Sequence, residues 1–78
     1  MNPIKKARQE IGLSRNELST VAGVGYSTLA SLEKGRPQSI NKNVLQALEQ
    51  LGKEPGRLKA EYEQYRENEK NEILKKAN

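Results

Sequence analysis

A chain of 78 residues, 33% hydrophobic and 31% charged, has room for one small, polar domain and no more. It contains no Cys, His or Asp, which excludes disulfides, thiolate chemistry, the usual zinc ligands and any Ser-His-Asp or Cys-His catalytic set. The net charge is +4, a basic balance that attracts phosphate.

These absences point away from an enzyme, and no metal or cofactor is expected. The basic excess is local. Residues 1–53 hold eight basic side chains against four acidic ones, whereas residues 54–78 hold six of each. No apolar run approaches the ~18 residues of a membrane span, and the N-terminus lacks the apolar stretch of a signal peptide. The expectation is a soluble, cytoplasmic chain with no membrane partner. Phe and Trp are absent, so the core is expected to be aliphatic. A core of this size supplies about 3–5 kcal/mol of net stability.

Gly12, Gly23, Gly35 and Gly52 each follow a stretch of helical pattern, as expected where a helix stops. Helix one is predicted from Pro3 to Ile11, capped by Asn2, with Pro3 at its first position and Ile4, Ala7 and Ile11 on one face. Helix two is predicted from Arg15 to Ala22. Ser14 and Glu17 have capping-box spacing, Leu13 and Leu18 staple it, and Leu18, Val21 and Ala22 make its buried stripe. Helix three is predicted from Tyr26 to Lys34 behind a Gly25 cap. Leu29 and Leu32 face inward, and Ser27, Ser31 and Lys34 lie on another face. Helix four is predicted from Lys42 to Leu51, capped by Asn41, with Ile40 and Leu45 as staple and Val44, Leu45, Leu48 and Leu51 as its apolar face. A fifth helix starts near Pro55 and runs to about Lys76, with Leu58, Tyr62 and Tyr65 in line. No segment alternates at period two, so no sheet is predicted.

Helices two and three are separated only by Gly23, Val24 and Gly25. So short a turn forces a steep crossing, the helix-turn-helix geometry that presents the second helix to the DNA major groove. From Ile11 to Gly35 the residues resemble the Cro/CI (Xre-type) helix-turn-helix family of phage repressors and bacterial regulators. That pattern has a Leu-Ala pair in helix two, Gly-Val at the turn, an aliphatic residue in mid helix three and a Glu-x-Gly exit. Here these are Leu18 and Ser19, Gly23 and Val24, Leu29, and Glu33 to Gly35. The likeness spans roughly Ile4 to Leu58. Ser19 departs from the usual Ala, Gly25 stands where Ser or Thr is common, and the stretch from Gly35 to helix four is slightly long.

The resemblance implies an all-α, five-helix lambda-repressor-like DNA-binding domain over residues 1–58. Residues 59–78 extend its C-terminal helix. It also implies site residues. Gly25, Tyr26, Ser27 and Ser31 match base-reading positions, while Thr28 and Lys34 match phosphate contacts. Arg15 matches a position that touches the DNA backbone and the edge of the recognition helix. Arg36 and the segment from Gln38 through Asn41, Lys42 and Asn43 match the part that grips the backbone. Arg8 and Glu33 match an ion pair joining helix one to the end of helix three. Two bland readings stand beside these: Tyr26 packing on helix two, and Arg8 with Glu33 as an ordinary surface pair. Helix three offers no Arg, Asn or Gln for a bidentate base contact, so readout would lean on hydroxyls, the Tyr26 ring, Ala30 and DNA shape.

Family proteins typically act as homodimers on near-palindromic double-stranded DNA, with recognition helices about 34 Å apart. Leu58, Tyr62, Tyr65, Ile73 and Leu74 are candidate contacts to a second copy or another protein, with an extension of the monomer core as the alternative for the first three. The leading function is a sequence-specific transcriptional regulator, of the repressor kind by analogy. The alternatives are an antitoxin-type module and a protein-interaction adaptor acting through the C-terminal helix.

Overall fold

The computed structural model describes residues 1–37 and 39–77. Five helices follow one another: α1 (Pro3–Ile11), α2 (Arg15–Ala22), α3 (Tyr26–Glu33), α4 (Lys42–Gln50) and α5 (Pro55–Ala77), with no strand among the described residues. α3 and α4 each stop one residue earlier than their apolar patterns imply, and α5 runs one residue further.

Local chemistry explains these boundaries. The Asn2 side-chain oxygen accepts from the Ile4 and Lys5 amides at 2.9 and 3.2 Å, satisfying two of the free donors of α1. Ser14 Oγ accepts from the Glu17 amide at 3.1 Å, and the Glu17 carboxylate accepts from the Ser14 amide at 2.8 Å. This reciprocal capping box opens α2. Asn41 does for α4 what Asn2 does for α1, accepting from the Asn43 and Val44 amides at 2.9 and 3.3 Å. α3 lacks a side-chain cap, because its N-cap residue is Gly25.

The core gathers Ile4 and Ala7 from α1, Leu18 from α2, Leu29 and Leu32 from α3, Val44, Ala47 and Leu48 from α4, and Leu58 and Tyr62 from α5, with Ile40 at the foot of α4. Each fully buried Leu or Ile contributes about 1.5–3 kcal/mol of transfer free energy against the entropy of ordering. α2 packs on α3 and α4, and α5 packs on α1 and α4.

Val21 is a correction. The apolar pattern puts it in the buried stripe of α2, yet it is 50% exposed. The buried side of α2 is set by Leu18 and Ser19, with Ala22 half-buried. At about 100° per residue, Val21 points about 100° away from the centre of that arc. Ser19, where the family has Ala, is buried, and its hydroxyl donates to the Asn16 carbonyl at 3.0 Å. The substitution is tolerated because the hydroxyl bonds back into its own helix.

For Leu58 and Tyr62 the packing selects the core from the two alternatives that the apolar stripe leaves open. Candidates for contact with a second chain, they are 6% and 0% exposed and belong to the monomer's own core. Their side of α5 faces α1 and α4, so neither is available to a partner while the domain is folded. Beyond Arg66 the helix leaves the body, and every described residue from 67 to 77 is exposed. Those eleven residues add about 16 Å of projecting helix.

Candidate nucleic-acid interface

The turn between α2 and α3 is closed by Gly23, whose left-handed φ of 69° lets the Val24 amide reach back to the Ser19 carbonyl at 3.1 Å. Gly25 then enters α3 in extended conformation. The result holds α3 across α2 with Leu29, Leu32 and Glu33 turned inward. Tyr26, Ser27 and Thr28 are exposed on its first turn, Ala30 and Ser31 are half-buried, and Lys34 is exposed just past its end.

Glu33 is the electrostatic anchor of this arrangement. Its carboxylate is fully buried and accepts from Arg8 Nε at 2.8 Å, Arg8 Nη2 at 3.0 Å and Arg15 Nε at 3.1 Å. Arg8 also donates through Nη1 to the Leu13 carbonyl at 2.9 Å. One carboxylate thus ties α1, α2 and α3 together, and the bland reading of Arg8 and Glu33 as a surface pair does not describe it. The Tyr26 hydroxyl, and after it the Glu33 carboxylate, hold the Arg15 guanidinium above its ordinary pKa. Arg15 is the participant that sequence reasoning missed. The family pattern assigns it to DNA, yet Nε is bonded to Glu33 and 30% of the side chain is open to solvent. The guanidinium keeps four other N–H donors.

The remaining polar candidates lie beyond α3. Arg36, Lys42 and Asn43 are exposed, and Asn41 is half-buried as the cap of α4. Gln38 lies outside the described residues. Among the described residues Lys34, Arg36 and Lys42 have no carboxylate within ion-pair distance, in contrast to Lys53, which meets Glu10 at 2.7 Å. The exposed end of α3 and the segment after it therefore present cations outside ion-pair distance of any described carboxylate, beside hydroxyls, with Glu63, Glu67 and Glu69 of α5 lining the same cleft as Lys34 and Arg36.

Two further groups at this end were missed. Asn2 Nδ2 donates to the Leu32 carbonyl at 2.9 Å, so the cap of α1 also satisfies the last turn of α3. Arg66 Nε donates to the Gly35 carbonyl at 2.9 Å. A signal for Arg66 existed: it follows Tyr62 by four residues and so shares the face of the Leu58–Tyr62–Tyr65 stripe. Of the candidate partner contacts, Tyr65 is half-buried against Gly35, while Ile73 and Leu74 are 63% and 52% exposed. No group of three or more side chains suited to a metal occurs among the described residues, and none of the described helices is long and apolar enough to cross a membrane.

Comparison with known proteins agrees with this geometry. An uncharacterized HTH-type transcriptional regulator, y4mF, of Sinorhizobium fredii is 41% identical over 49 residues, covering 63% of this chain and 64% of that protein. The match therefore spans a little under two thirds of the relative's length. No solved structure matches the chain. The helix-turn-helix family model matches residues 4–55, two thirds of the sequence and all of the first four helices except Pro3, and the chain belongs to that family, of the Xre/Cro-CI type.

Proposed function

We propose that this chain is a sequence-specific double-stranded DNA-binding transcriptional regulator of the repressor kind, with α3 seated in the major groove. One observation carries the reading. The outward face of α3 shows Tyr26, Ser27, Thr28 and Ser31, and it is followed by Lys34 and Arg36, two exposed cations without carboxylate partners among the described residues. Family membership and the name of the Sinorhizobium relative support it.

In this reading Gly25, Tyr26, Ser27 and Ser31 meet base edges. Thr28, Lys34 and Arg36 meet phosphates. Asn41, Lys42 and Asn43 form the N-terminus of α4, where the helix dipole and the Lys42 ammonium favour an anion while the Asn43 and Val44 amides stay on the Asn41 cap. Arg15 keeps one N–H on Glu33 and, beside the Tyr26 hydroxyl, offers its remaining N–H groups to a phosphate at the edge of α3. Arg8 and Glu33 hold the scaffold. A lone eight-residue α3 reads few bases, so two copies bind a near-palindrome with half-sites about one DNA turn apart.

The test is selection of bound sequences from a random duplex pool, followed by a salt titration of the enriched site. A near-palindromic site with a steep loss of affinity in salt supports the reading. Absence of any enriched sequence refutes sequence-specific binding.

A second reading rests on Ile73 and Leu74, large apolar side chains exposed on the projecting end of α5. They serve a protein partner or a second copy, as in an antitoxin-type module or adaptor. Replacing both with Glu leaves the domain folded. It abolishes self-association or partner capture if this reading holds, and changes neither if it fails.

A further inference from the structure

Between α3 and α4 the chain passes through Lys34, Gly35, Arg36 and Pro37. The N–H side of this segment closes on α3. Gly35 donates to the Leu32 carbonyl at 3.0 Å, and Arg36 donates to the Ser31 carbonyl at 3.1 Å. The carbonyl side closes on α5. Arg66 Nε donates to the Gly35 carbonyl at 2.9 Å, and the Tyr62 hydroxyl donates to the Pro37 carbonyl at 3.0 Å. Between these two bonds the Tyr65 ring lies over Gly35, so close that a Cβ there would stand 2.7 Å from Cε1.

Residues at i, i+3 and i+4 share one face of a helix, so Tyr62, Tyr65 and Arg66 form a three-point clamp. The clamped segment carries Lys34 and Arg36, the exposed cations on which the proposed phosphate contact depends. A segment ordered before binding has less conformational freedom to lose when it binds. An unanchored one must be fixed by the DNA itself.

We infer that Tyr62 and Arg66 are positioning residues for the phosphate contact. α5 fixes the segment from which Lys34 and Arg36 reach the DNA backbone, without itself touching DNA. The inference rests on the DNA-binding reading above.

Tyr62→Phe removes one hydroxyl and leaves the charge and the buried ring in place. Arg66→Met removes the other bond. Both variants are checked for wild-type helix content by circular dichroism. Affinity is then measured against salt on a random-sequence duplex and on any enriched site. The expected result for Tyr62→Phe is a loss of about three- to tenfold, with the salt slope falling by up to about 0.9 for each phosphate that Lys34 or Arg36 no longer neutralises. Exchange of the Arg36 amide in the free protein should quicken in both variants.

Other outcomes separate the failures. A lower slope in Arg66→Met beside an unchanged Tyr62→Phe would mean that Arg66 meets phosphate itself, and would overturn the clamp. Wild-type affinity and slope in both variants would also overturn it. A wild-type chain without salt-dependent binding to any duplex would overturn the DNA-binding reading, and the positioning role with it, whatever the amide exchange showed.

Discussion

Replacing Glu33 with Gln tests the anchor beneath the recognition helix most directly. The substitution keeps the shape of the side chain and removes its charge. In the native fold three charged N–H groups point at this carboxylate, at 2.8, 3.0 and 3.1 Å. The Arg8 side chain is 11% exposed and that of Arg15 is 30% exposed. Leaving a buried charge without its partner costs about 3–5 kcal/mol. The Arg15 share is discounted because that side chain is partly solvated. Gln retains one carbonyl acceptor but turns an amide donor toward guanidinium donors, so the expected loss lies near about 3 kcal/mol. Against a total stability of about 3–5 kcal/mol, that loss places the variant close to its unfolding midpoint in water. Urea unfolding followed by helical circular dichroism measures it. Arg8→Met should cost a similar amount, and the Arg8→Met/Glu33→Gln double variant little more than either alone. A Glu33→Gln loss below about 1 kcal/mol, the value of an exposed pair, would refute the reasoning.

Gly35→Ala meets two obstacles: a left-handed φ of 71° and a Tyr65 carbon 2.7 Å from the new Cβ. Left-handed strain of about 1–2 kcal/mol and displacement of the ring by about 1–3 kcal/mol give an expected destabilisation of about 2–5 kcal/mol, and a neutral result in urea unfolding would contradict the packing. Gly25→Ser places its Cβ 3.9 Å from Ser27 Oγ, an ordinary contact, and supplies the missing cap. The melting temperature should rise by the equivalent of a few tenths of a kcal/mol, and a fall would show that the entry to α3 needs Gly for another reason. Stability should also follow pH at both ends. Bonds from the Ser14 backbone amide, and after them the Ser14 side chain, hold the Glu17 carboxyl below 4.5. That contribution is present above pH 4.5 and lost as pH falls through the lower folded value. Burial raises the Tyr62 hydroxyl above 10.0, so its contribution is present below pH 10.0 and lost as pH rises through the higher folded value. Glu17→Gln should flatten the acid limb of a melting-temperature profile and Tyr62→Phe the alkaline limb; unchanged limbs would count against these environments.

The helices and their ends are written locally, and the sequence alone determined them to within a residue. Asn2, Ser14 with Glu17, and Asn41 satisfy amides two or three positions away, so their effect does not wait for tertiary contacts. The three-residue turn after Ala22 fixed the helix-turn-helix geometry for the same reason. Periodicity also marked most of the core, including Ile4, Ala7, Leu18, Leu29, Leu32, Val44 and Leu48, but the ambiguous positions were decided only by tertiary structure. Val21 and Leu18 share the apolar character of α2, but the angle at which α3 and α4 cross it buries one and leaves the other half open. Leu58 and Tyr62 read equally well as core or as seam, and the docking of α5 on α1 and α4 placed them in the core. The second cation on Glu33 joins residues eighteen apart in sequence, and the bond from Arg66 to the Gly35 carbonyl joins residues thirty-one apart. No periodicity specifies such contacts, because they exist only once several independently formed helices have packed at particular angles.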